Sequence, residues 1–158
     1  KSTSEKSSIL SFDINLSLIE WRSSKASYHN YDLSEYDKPI NGKILALFDD
    51  HVSHFDRIKY CHDKNIEFII LDDDVSVETV HSDGCPPIPT ANMLVNYEQI
   101  PHRFSWISNG RKGQADISKL DTEFINRNYQ YLRAPDFFEH TGYRNSSSTS
   151  IMVRRKSN

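Results

Sequence analysis

The groups best placed to do chemistry in this sequence are acidic side chains that recur where short apolar runs end. Residues 9–12 lead into Asp13 and Asn15, and residues 26–29 into Tyr31 and Asp32. Residues 43–48 end in Asp49, Asp50 and His51, and residues 66–71 end in Asp72, Asp73 and Asp74. A carboxylate such as Asp13 at a strand end can accept both hydroxyl protons of a ribose, which suits a nucleoside or nucleotide. Carboxylates that converge repel one another unless something positive sits between them. A hard divalent ion with oxygen ligands, magnesium or calcium rather than zinc, would fill that role. His51 or His54 could serve as general base, because an unperturbed imidazole titrates near neutrality. Each group also has a plainer use. Asp13 can be a turn aspartate or a helix cap, and Asp32-Leu33-Ser34-Glu35 also spells a cap. Asp-Asp pairs start loops, and His54 can simply open an exposed helix.

These groups need elements that bring them to one place. Residues 43–48 and 66–71 are nearly continuous apolar runs, the pattern of parallel strands buried on both faces. Between them Ser53 can cap a helix, with Asp56 three residues on. Phe55, Ile58 and Cys61 share a face of that helix, and Asn65 stops it. Strand, helix and strand make a βαβ unit with a right-handed crossover. In an open parallel sheet, ligands bind beyond the carboxyl ends of the strands, where the acids lie. Further on, residues 84–89 carry three prolines and read as a loop, and a short helix is expected over 90–99. Residues 109–113 read as a turn. Asp116 is expected to cap a second helix with Ile117, Leu120, Phe124, Ile125 and Tyr129 at helical spacing, and Pro135 ends the helical pattern. Residues 137–143 and 148–155 read as two closing strands, joined through 145–148 as an antiparallel hairpin.

At 158 residues the chain is long enough for one domain, 1–158, with a real core. An apolar fraction of 37% and a charged fraction of 26% set it apart from disordered chains. A net charge of −3 argues against nucleic acid as a partner held by bulk charge, and Arg154, Arg155 and Lys156 read as a solvated tail. Cys61 and Cys85 form no metal-binding pair and read as reduced thiols, Cys61 in the core. The remaining histidines, 29, 62, 81, 102 and 140, show no ligand spacing. Trp21 and Trp106 can bury aromatic area or line a pocket. No apolar run approaches the roughly 20 residues that span a bilayer, so no membrane partner is expected. The polar start is unlike a signal peptide, so a cytoplasmic location is expected.

Taken as a series, these segments resemble the class I S-adenosylmethionine-dependent methyltransferases, and within them the small-molecule O-methyltransferase and cephalosporin-hydroxylase-like group. Phe12-Asp13-Ile14-Asn15 is similar to the second strand of that fold, Asn30-Tyr31-Asp32 to the third, Phe48-Asp49-Asp50-His51 to the fourth, and Leu71-Asp72-Asp73-Asp74 to the fifth. The resemblance implies an α/β fold: a Rossmann-like, mostly parallel sheet with helices on its faces and a C-terminal antiparallel strand pair. It implies S-adenosylmethionine at Asp13, Asn15, Tyr31, Asp32 and Asp49, and Mg2+ at Asp49, Asp72 and Asp73. Asp50, His51 and His54 would do acid-base work on the hydroxyl of a small-molecule acceptor, such as a sugar or secondary metabolite. The family's glycine-rich loop follows its first strand. No such loop precedes Asp13, and Gly110 and Gly113 come far later, so a truncated domain is expected. The alternative is a non-catalytic Rossmann-like binding or assembly module. Its exposed sheet edge or helix face would pair with another chain, and a homo-oligomer is one such outcome.

Overall fold

The structure, a computed structural model, describes residues 7–82, 85–108, 110–134 and 149–156. The chain divides into two compact units, residues 1–39 and 40–158.

In the first unit, β1 (Ile9–Phe12) and β2 (Ala26–His29) pair in parallel, Ile9 opposite Ala26 and Phe12 opposite His29. The connection between them holds one 3-10 turn, Leu16–Leu18. The unit is held by rings: Phe12 stacks on His29 at 4.8 Å, and Tyr36 meets both edge-on. Tyr36 is the one buried residue among those described here, because so short a segment has too few apolar side chains to enclose a core.

The second unit contains the expected βαβ. β3 (Leu45–Phe48) and β4 (Phe68–Leu71) are parallel, with Leu45 opposite Phe68, and α1 (His54–Asp63) connects them. Ser53 caps α1, its hydroxyl accepting from Asp56 N–H at 3.4 Å. Asn65 ends it with φ of 57°, a left-handed residue that lets Ile66 N–H return to the Cys61 carbonyl at 2.8 Å. The buried face of α1 is His54, Arg57, Ile58 and Cys61. It is rotated from the expected stripe, and Phe55 is only partly buried.

Thr90 caps α2 (Ala91–Val95), and a 3-10 turn at Tyr97–Gln99 completes the short helical stretch expected there. β5 (Arg103–Ser108) and β6 (Arg111–Asp116) form an antiparallel hairpin around the expected turn, of which residue 109 lies outside the described residues. The long helix expected from Asp116 does not form. Asp116 instead ends β6 and accepts from Ser118 N–H at 3.0 Å. Helix α3 (Thr122–Asn128) starts at its own cap, Asp121, and the chain turns extended at once into β7 (Tyr129–Arg133). The closing run 148–155 is strand β8 (Ser150–Arg154). Its antiparallel neighbours are β4 and β7, and residues 137–143 and Pro135 lie outside the described residues.

The main sheet therefore runs β3-β4-β8-β7, with β3 at one edge. The α/β character matches expectation. The sheet, however, has one parallel pair and two antiparallel ones, rather than being mostly parallel. Its core face carries Phe48, Ile69, Leu71, Ser150, Met152 and Tyr129 against the helices. Arg57 of α1 lies over the Phe48 ring, and His62 and Phe124 meet Tyr129. The opposite face carries Leu45, Leu47, Phe68 and Leu132. Leu45 and Leu47 are exposed, which corrects the expectation that β3 is buried on both sides.

Candidate functional site

The acidic strand ends divide between the two units. In the first, Asp13 follows β1, and its Oδ1 accepts from Asn15 N–H at 2.7 Å. Asn15 in turn accepts from Ser17 N–H and caps the 3-10 turn. Tyr31 OH pairs with His29 Nδ1 at 3.1 Å, and Asp32 accepts from Ser34 N–H at 2.8 Å as the cap of the turn Leu33–Glu35. The plain roles are thus present in the structure, Asp13 as a turn aspartate and Asp32 as a cap, because a carboxylate reaches the N–H two residues on.

In the second unit, β3 and β4 run side by side in the same direction, so their acidic ends are neighbours. Local hydrogen bonding then sends each carboxylate elsewhere. Asp50 accepts from Val52 N–H and pairs with the buried Arg57 guanidinium at 2.7 Å, so it is a counter-ion rather than a base. Asp72 accepts from Thr149 Oγ1 at 2.8 Å. Asp74 is buried, and its two oxygens accept from Asn92 N–H at 2.6 Å and Tyr131 OH at 2.9 Å. Asp49 stays exposed. Asp49, Asp72 and Asp73 do not assemble as metal ligands: among the described residues, no three His, Cys, Asp or Glu side chains form a group fit to hold a metal ion.

His54 is also committed. Its Nδ1 accepts from Ala91 N–H at 3.0 Å, so the proton sits on Nε2, which donates to the Asp72 carbonyl at 3.0 Å. With its lone pair taken and its ring buried, His54 ties α1 to α2 and the end of β4 and has no lone pair to offer as a base.

His51 differs. Its Nδ1 lies 3.6 Å from Asp73 Oδ2, which leaves Nε2 outside the pair. The ring is about half exposed. Both residues have positive φ, 56° and 53°. His and Asp enter this region more readily than most residues, and two such residues facing each other at adjacent strand ends mark a constrained spot. His51 lines a cleft of about 310 Å3 within the second unit, together with Pro86, Ile88 and Pro89 before α2 and Trp106, Gln114 and Asp116 of the hairpin. Gly113 makes room for the indole, since a Cβ there would lie 2.7 Å from the Trp106 ring. Ser118, through its hydroxyl and N–H, and then Arg103, whose Nε donates at 2.9 Å, hold the Asp116 carboxyl down at about 2.

Sequence reasoning placed acids and His51 at the ends of two parallel strands, and β3 and β4 are so paired, but Asp13 and Asp32 follow the strands of a separate sheet. It missed Arg57, Tyr131 and Thr149 as the groups that occupy the carboxylates. It also missed the hairpin wall, whose β6 sequence, Arg-Lys-Gly-Gln-Ala-Asp, lacks the apolar alternation of a strand.

No protein-family model, no curated protein and no solved structure matches this chain.

Proposed function

We propose that the chain is part of a class I methyltransferase-like domain and passes a methyl group from S-adenosylmethionine to a hydroxyl of a small molecule. The carrying observation is His51, which lies 3.6 Å from Asp73 at the carboxyl ends of two parallel strands and itself lines a cleft of small-molecule size. In this reading the acceptor occupies the cleft. His51 takes the hydroxyl proton through Nε2, with the Asp73 carboxylate beside Nδ1. Trp106 supplies an apolar wall. The cofactor would supply an electrophilic methyl on a positive sulfonium, so alignment accounts for much of the rate. Asp49, Asp72 and Asp73 are chemically suited to magnesium but form no ligand group among the described residues, so no residue role here is assigned through a metal.

The turn bond of Asp13 and the capping bond of Asp32 favour the second reading, a Rossmann-like binding or assembly module with no cofactor. Calorimetric titration of the full-length protein with S-adenosylhomocysteine separates the two. Saturable heat supports the enzyme; its absence, with and without magnesium, ends that reading and leaves the module.

A further inference from the structure

The register of the main sheet gathers exposed and partly exposed apolar side chains of the described residues into one patch. Leu45, Phe68, Val153 and Gln130 are cross-strand neighbours, and so are Leu47, Ile70, Ile151 and Leu132. Seven of these eight are large aliphatic or aromatic residues. Leu45 is 61% exposed, Leu47 65%, Phe68 39% and Leu132 42%, and the other three apolar ones are partly exposed. Together they leave on the order of 500 Å2 of contiguous apolar surface, near the upper end for a single patch on a monomeric protein.

The patch has polar ends of opposite sign. Asp49 and Asp72 lie two residues beyond Leu47 and Ile70, at the carboxyl end of β3 and β4. Lys43 lies two residues before Leu45. Arg155 lies two beyond Val153, which is the same end because β8 runs the other way. A two-fold axis between facing sheets, perpendicular to the strands, sets the acidic end of one against the basic end of the other. An axis along the strands would set acid on acid.

We propose that this face packs against the same face of a second copy, sheet on sheet and strands reversed, to form an isologous dimer. The two patches alone bury about 1,000 Å2, and with the charged rim the contact reaches the size of stable interfaces. The proposal does not depend on the methyltransferase reading.

Sedimentation velocity on the full chain between about 1 and about 100 µM tests it. A dimer is expected. A monomer throughout the range overturns the proposal. Leu47→Asp places a charge at the centre of the contact and is expected to weaken dimerisation by about 100-fold or more. Residue 47 is exposed in the single chain, so far-UV dichroism and the midpoint of thermal unfolding of monomeric Leu47→Asp should match those of diluted wild type. A Leu47→Asp protein as dimeric as wild type places the contact elsewhere and overturns the proposal. So does a monomeric wild type that Leu47→Asp destabilises, because the face is then covered by the chain itself. Lys43→Glu is expected to weaken the dimer and Lys43→Glu/Asp49→Lys to restore it; failure to restore overturns the reversed-strand arrangement.

Discussion

Each aspartate at the ends of β3 and β4 meets a different neighbour, and its chemistry follows from that neighbour. Asp74 is buried with both oxygens occupied, so Asp74→Ala strands the Tyr131 hydroxyl and the Asn92 N–H. The expected loss is about 2–4 kcal/mol of stability, read from urea unfolding. Burial, and then the charge of Asp74, raises the Tyr131 hydroxyl from 10.0 to about 12; burial also raises the Cys61 thiol from 9.0 to about 12, against the pull of Arg57. The folded chain therefore keeps protons that the unfolded chain loses. This contribution is complete below about pH 9 and fades as the pH rises through about 12. Stability measured between pH 8 and 12 should fall, with a shallower slope in Tyr131→Phe. At His51 the expectation is catalytic. His51→Gln should lower methyl transfer by about 100-fold while leaving S-adenosylhomocysteine affinity unchanged. Loss of affinity with normal folding would assign His51 to binding instead.

At the scale of elements, caps decided where helices begin more firmly than apolar spacing did. Ser53 and Thr90 both start helices, as their positions in the sequence imply. Thr90 does more, donating to the Val75 carbonyl at 2.7 Å and accepting from Met93 N–H at 3.2 Å while fully buried. Thr90→Ala should cost about 2 kcal/mol and Thr90→Ser much less, measured by chemical unfolding. The spacing Ile117, Leu120, Phe124, Ile125, Tyr129 gave a false helix across three elements. Asp116 closes a strand, Asp121 caps the actual helix, and Tyr129 begins a strand whose pairing with β8 outweighs local preference. Trp106 and Gly113 face each other across the hairpin, so Gly113→Ala should displace the indole, seen as a shift in tryptophan fluorescence.

At the scale of the whole molecule, the two units differ in how much they bury. The first rests on one aromatic cluster, whereas β4 and β8 lie inside the four-stranded sheet with Ile69, Leu71 and Met152 fully enclosed. Hydrogen exchange should therefore be slowest at β4 and β8 and much faster at β1 and β2. The sequence by itself determined the βαβ unit, its caps, the Asn65 stop, the proline loop and the gathering of acids at strand ends, because these depend on neighbours in the chain. Only the tertiary structure decided that the sheet is mixed and that Leu45 and Leu47 of β3 are exposed. It also turned Asp50, Asp72 and Asp74 toward Arg57, Thr149 and Tyr131, and left His51 beside Asp73 and on the cleft wall. Those outcomes depend on partners as far apart as Asp72 and Thr149, and strand pairing brings such residues together without leaving a local pattern to read.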